Sequence, residues 1–137
     1  MKKLLIFLTL LIISSPLKAG AHWEKISSTG PHGLTFYLDT DKIEWLKKGV
    51  FVRLLTDYNY SRPEGQSIVS KAVIDIENSK YAILHVALYS QHMQRGVVLE
   101  NKAIPNPTIG IESIVPNSIF DLLRNKLIHM SHERASR

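Results

Sequence analysis

The segment from Ser67 to Ser90 sets the tightest limit on what this chain can become. Two apolar stretches, Ser67 to Ile76 and Tyr81 to Ser90, flank the tetrapeptide Glu77-Asn78-Ser79-Lys80, whose turn-forming residues reverse the chain between two strands. Ala82, Leu84, Val86 and Leu88 alternate as a strand requires. Symmetric closure of the loop sets Ile76 opposite Tyr81 and Ile74 opposite Ile83, with Val73 opposite Leu84 on the reverse face. Apolar side chains then line both faces. A sheet wet on one side shows a polar face there, so each face of this hairpin needs a cover.

One cover is written near the chain end. Ile119, Leu122, Leu123, Leu127 and Met130 fall at helical spacing, Asn117 or Ser118 is placed to cap the helix, and Asp121 lies in its first turn. For the other face the sequence offers the proline-broken stretch Ala103 to Pro116, or a second copy of the chain.

The remaining segments extend the same sheet. Trp23 to Ser27 and Leu34 to Leu38 flank the turn residues Ser28 to Gly33 and read as a hairpin. Asp39-Thr40-Asp41 open a short turn that runs through Lys42 to Leu46 and closes at Lys47-Lys48-Gly49. Val50 to Tyr58 puts Val50, Val52, Leu54, Thr56 and Tyr58 on one face and Phe51, Arg53, Leu55 and Asp57 on the other. The fold class is therefore α+β: an antiparallel sheet of about five to six strands with a C-terminal helix packed on one face.

The start of the chain speaks of export. Lys2 and Lys3 precede an apolar run, Leu4 to Ile13, which is roughly half the ~20 residues of a membrane span, and Ala19-Gly20-Ala21 suits a signal peptidase. Residues 1–21 read as a signal peptide, 22–130 as one domain and 131–137 as a polar, frayed tail. With no cysteine in the sequence there is no lipid acceptor and no disulfide, so the expected product is exported, to periplasm, medium or cell surface, without a lipid anchor or a transmembrane segment. Removal of Lys2, Lys3 and Lys18 with the leader lowers the formal charge from +5 to +2, too mild for a nucleic-acid partner.

Catalytic signatures are missing. There is no Gly-x-Ser-x-Gly elbow, no triad arrangement and no phosphate loop, which argues against an enzyme. His129 and His132 are three apart, near enough on a helix to share a metal, and His85 and His92 flank the end of the fifth strand, but two ligands do not make a metal or haem site, so no cofactor is expected. Asp39, Asp57 and Asp75 sit at strand ends, where carboxylates accept backbone hydrogen bonds and shape turns. Trp23, Tyr37, Tyr58, Tyr81 and Tyr89 suit a pleated surface and are expected to pack. What remains for recognition is two polar loops, Asn59 to Gln66 and Gln91 to Gly96, with Tyr60, Arg62, Glu64, Gln91, His92 and Arg95 as the candidate protein-binding residues.

The order of several features carries a resemblance: a strand beginning at Trp23, the strand end Phe36-Tyr37-Leu38-Asp39 followed by Ile43, and Val52 leading to Leu55-Thr56-Asp57-Tyr58. Ser70, Asp75, Tyr81, Tyr89-Ser90 and the helix entry Ile114-Val115-Pro116-Asn117-Ser118 continue it. In this the chain resembles the surface-adhesin protein E family of Gram-negative bacteria, small exported proteins with an antiparallel sheet and a C-terminal helix. The resemblance implies a non-enzymatic binding module for a protein partner, with adhesion to host matrix proteins as one form. A periplasmic structural or accessory protein acting on an envelope partner is the alternative. Many members carry a cysteine directly after the aspartate that corresponds to Asp75 and another near the chain end. Here Ile76 and the apolar residues Leu127, Ile128 and Met130 stand instead, so an apolar contact is expected to replace a disulfide between sheet and helix.

Overall fold

The computed structural model of the protein describes residues 21–104 and 111–137, so the expected leader, Ala21 apart, lies outside the described residues. Among the described residues eight strands form one sheet: β1 (Trp23–Ser28), β2 (Leu34–Asp39), β3 (Glu44–Leu46), β4 (Gly49–Tyr58), β5 (Ser67–Asp75), β6 (Lys80–Tyr89), β7 (Val98–Ala103) and β8 (Glu112–Ser113). A C-terminal helix, α1 (Ile119–Ala135), follows. The strands run β1-β2-β4-β5-β6-β7, all antiparallel, with β3 added beside β4 and β8 beside β6.

The two short strands are additions to the five or six expected. β3 occupies the stretch read as a turn, and Lys47-Lys48 is the two-residue turn that folds it back on β4. Its signal was the alternation Ile43-x-Trp45, since both side chains pack against the core. β8 pairs Glu112 and Ser113 with Tyr81 and Lys80, and Ile114 then enters the core. The described part of the Ala103 to Pro116 stretch thus runs along the β6 edge and does not cover the second face.

Register assigns every side chain a face. Leu38, Val52, Leu54, Ala72 and Ile74 share one face and are buried there with Leu123 and Leu127 of α1. Helical geometry explains which residues of α1 take part: Phe120, Leu123, Leu127 and Met130 lie within one stripe about the axis, whereas Leu122 is turned roughly a third of a circle away and is 42 % exposed. The expected stripe is corrected at that point, with Phe120 replacing Leu122. Phe120 stacks on Tyr81 at 3.8 Å between ring centroids.

Both ends of α1 are fixed. The Ser118 hydroxyl accepts from Asp121 N at 3.3 Å while the Asp121 carboxylate accepts from Asn117 N at 2.9 Å, a reciprocal cap that satisfies two otherwise free donors. At the other end α1 continues to Ala135 instead of fraying after Met130, and Arg134 lies over the Trp45 ring at 4.6 Å.

The β5–β6 hairpin is offset from the symmetric register by two residues. Ile74 faces Tyr81 and Asp75 faces Lys80, so the loop is Ile76 to Ser79. Asp75 causes the earlier closure: its carboxylate accepts from the Asn78 side chain at 2.9 Å and the Asn78 backbone at 3.1 Å. These bonds, the side-chain one foremost, hold the Asp75 carboxyl below the ordinary aspartate range. An offset of two preserves the faces, but a bulge at Leu84 does not. Beyond it Val86 and Leu88 share the helix-side face, whereas Ala82 lies on the reverse one, so the alternation read through Ala82, Leu84, Val86 and Leu88 is broken in space.

Leu127→Ala is expected to lower unfolding free energy by about 2–5 kcal/mol, measured by urea denaturation, because both the methyl groups and a fully buried contact are lost. Tyr81 donates to the Glu112 carboxylate at 2.9 Å, and burial, then this bond, raise its phenol above the usual tyrosine range. Spectrophotometric titration should show one tyrosine ionising late, and Glu112→Gln should bring it part of the way back.

Candidate functional site

The loops expected to carry recognition meet at one end of the sheet. Tyr58 N donates to Gln66 O at 3.0 Å, and Gln66 N donates to Tyr89 O at 3.0 Å, which joins the β4–β5 loop to the end of β6. The β1–β2 turn reaches the same end: Asn59 N donates to Gly33 O at 2.9 Å, and the Asn59 side chain donates to Ser28 Oγ and to Gly30 O.

The two candidate loops curl onto opposite faces. In the β4–β5 loop Arg62 lies over the ring of Tyr58, 4.0 Å from its centroid, and Tyr60 meets the same ring edge-on at 6.0 Å. Tyr58 belongs to the helix-side face, so Tyr60 and Arg62 gather there, with Glu64 paired to Arg62 Nε at 3.2 Å. Gly65 seals the loop: its φ of +140° is unfavourable for other residues, and a Cβ there would stand 2.7 Å from Leu88 Cδ1.

The turn after β6 folds the other way. Asp57 Oδ1, on the reverse face, accepts from Met93 N at 3.1 Å and lies 3.1 Å from His92 Nδ1. The buried Ser67 hydroxyl donates to Gln91 O at 2.6 Å and accepts from Gln94 N at 3.0 Å, and Gln94 Nε2 donates to the Tyr89 hydroxyl at 3.3 Å. These bonds support Met93 and Gln94 at φ near +60°, a region that ordinary residues seldom occupy. Gln91, His92 and Arg95 remain exposed. Tyr60, Arg62 and Glu64 therefore form one cluster and Gln91, His92 and Arg95 a second, separated by the thickness of the sheet.

The aspartates take the roles read for them as turn-shaping acceptors. Asp39 is fully buried, accepts from His22 N at 3.2 Å and Asp41 N at 3.1 Å, and pairs with Arg53 at 2.9 Å. The histidines disperse: His85 bonds Asn101, His92 meets Asp57, and His129 lies 3.3 Å from Glu133. Among the described residues no three metal-ligating side chains converge.

The face away from α1 carries a polar row across its middle, Asp39, Arg53, Lys71 and His85, between apolar rows that include Leu55, Val69 and Ala87. Neither α1 nor any strand of the described residues crosses it. A shallow groove of about 480 Å³ lies there, bordered by Phe51, Arg53, Lys71, His85 and Tyr89. Sequence reasoning missed one exposed feature beside the second cluster: Val97, Val98 and Leu99, 65, 50 and 49 % exposed. Its only sequence signal was three apolar residues directly after a loop.

The family model described as surface-adhesin protein E matches residues 23–127. Among curated proteins none matches the chain.

Asp57→Ala should release the turn after β6 by removing the acceptor of Met93 N. Hydrogen exchange at Met93 and Gln94 is expected to rise at least tenfold, for a local cost of about 1–3 kcal/mol, while amides of β5 stay protected.

Proposed function

The chain belongs to the surface-adhesin protein E family, and from that premise we propose that it is an exported, non-enzymatic adhesin whose partner is a host matrix protein. The observation that carries the reading is the construction of the sheet end. Two polar clusters, exposed Tyr60 and Glu64 with half-buried Arg62 on one face and exposed Gln91, His92 and Arg95 on the other, are each tied to sheet residues by hydrogen bonds or ring contacts. Such preorganisation lowers the ordering entropy of binding, which suits recognition of a large, stiff partner. The aromatic and arginine content fits residue types that dominate protein interfaces.

A second reading draws on the cysteine-free sequence, which has no thiol to carry a lipid. An unlipidated member retained in the periplasm would act on a bacterial envelope partner. Protease shaving of intact cells separates the two, since a surface adhesin is digested and a periplasmic protein is spared.

Purified chain beginning at residue 22 should bind an immobilised matrix glycoprotein in biolayer interferometry. Replacement of both loops by Gly-Ser segments of equal length is expected to weaken binding at least tenfold. Undiminished binding after that replacement sinks the assignment of the loops, and no binding by the unmodified chain to any matrix glycoprotein sinks matrix adhesion itself.

A further inference from the structure

We propose that the groove on the face away from α1 binds a carboxylate-bearing sugar, with the carboxylate held over Lys71 and the ring laid across Val69 and Ala87. None of the residues that line the groove belongs to the two candidate loops, so this site is independent of what the loops bind.

Charge marks the centre of the site. The register sets Arg53, Lys71 and His85 directly opposite one another on three neighbouring strands, β4, β5 and β6. Side chains so placed lie about 5 Å apart at Cβ, and like charges there repel. One carboxylate relieves the row, since Asp39 accepts from Arg53 Nη1 at 2.9 Å. Among the described residues Nε and Nη2 of Arg53 have no hydrogen-bond partner, His85 is held by Asn101, and the exposed Lys71 pairs with no carboxylate. The middle of the row is thus short of one negative charge. A carboxylate over Lys71 supplies it and comes within reach of the free nitrogens of Arg53, where charge-assisted bonds are strongest.

The surrounding side chains select what that carboxylate is attached to. Val69 and Ala87 are paired in register beside Lys71 and His85, and their short side chains make an apolar floor. Phe51 on β4 and Tyr89 on β6 stand at opposite corners of it, both partly exposed. Asp41 and Glu44, both exposed, form the rim at the β3 end. Cation, apolar floor, aromatic corners and acceptor carboxylates therefore border one space of about 480 Å³, within the range of roughly 300–1,000 Å³ usual for small-molecule sites.

A fatty acid would satisfy Lys71, but in so shallow a groove its alkyl chain keeps one side in water and gains little from burial. A polyanion extended from Lys71 toward β3 would meet Asp41 and Glu44 and be repelled. An acidic sugar fits all the parts. Its single carboxylate meets Lys71, the C–H face of its ring covers Val69 and Ala87 and stacks on an aromatic corner, and its hydroxyls donate to the carboxylates of the rim. The side of the ring that stays in water is itself polar, so the openness of the groove costs such a ligand little.

An open site of this size predicts a dissociation constant on the order of 0.1 mM. In NMR titrations of the isotope-labelled chain from residue 22 onward, the methyl glycoside of N-acetylneuraminic acid or of glucuronic acid should shift the amides of Arg53, Val69, Lys71 and Ala87. Sodium acetate has the carboxylate without the ring and methyl galactoside the ring without the carboxylate, and each should bind at least tenfold more weakly. A sulfated heparin tetrasaccharide should not compete. Lys71→Gln is expected to weaken binding at least tenfold, Lys71→Arg to keep it within about threefold, and Lys47→Gln, in the β3–β4 turn outside the groove, to leave it unchanged. Both lysines are exposed, and circular dichroism checks that each variant remains folded. No shift at these amides with either acidic sugar at about 10 mM overturns the proposal. So does acetate or galactoside that binds as tightly, competition by the heparin fragment, or full affinity in Lys71→Gln.

Discussion

Burial of Leu123 and Leu127 against the face made by Leu38, Val52, Leu54, Ala72 and Ile74 is the contact on which the rest of the structure depends. A single sheet is not stable alone with both faces in water, and the described residues supply one helix as its second layer. Each fully buried leucine contributes about 1.5–3 kcal/mol. The exposed Lys126–Glu24 pair across the same boundary contributes at most about 1 kcal/mol. Packing decides the arrangement, while the reciprocal cap at Ser118 and the Arg134–Trp45 contact set where the apolar stripe begins and ends.

The face that none of the described elements crosses is compatible with that scheme because it is not uniformly apolar. Its central row joins buried Asp39 to Arg53, then Lys71 and His85, and long polar side chains on neighbouring strands stand beside Leu55, Val69 and Ala87. A buried carboxylate with no partner would cost several kcal/mol, but Asp39 has two backbone donors as well as the guanidinium, so its charge is fully met. Bulges at Ile26, Leu84 and Leu99 change the parity of side chains along the outer strands. Strands that would otherwise present one apolar face to water can thereby divide their large residues between both.

Much of this was legible in the order of residues. Strand boundaries from Trp23 to Tyr89, the Ser118 cap, the helix stripe through Leu123 and Leu127 and the hydrogen-bonding roles of the aspartates all follow from periodicity and turn chemistry. The two-residue offset at Asp75 and the bulge at Leu84 were not, because both are settled by bonds and twist that a linear alternation cannot register. β3 and β8 escaped because strands of three and two residues carry almost no period: for β3 it is the single pair Ile43 and Trp45, and for β8 none. The candidate loops were located correctly at turns. Their division between two faces depends on Tyr58 and Asp57, adjacent residues that point oppositely, and that consequence appears only once the loops are folded back.

The position after Asp75 shows how an apolar contact can stand where the family resemblance implies a covalent one. Ile76 and Met130 both pack against the cluster that holds Leu123 and Leu127, and Arg124 Nε donates to Ile76 O at 2.9 Å. Helix and sheet are thus joined at the point where the family pattern implies a cysteine. A disulfide stabilises by roughly 2–4 kcal/mol, mainly through the unfolded state, whereas Ile76, only partly buried, contributes less than the about 1.5–3 kcal/mol of a fully buried isoleucine, and does so through the folded state. The physical difference lies in reversibility. A disulfide keeps α1 attached in the unfolded chain, whereas the Ile76 contact holds only while the core is formed. In this chain, then, detachment of α1 and loss of the core are one event, and the sheet face that α1 covers stays dry only as long as Leu123 and Leu127 remain in place.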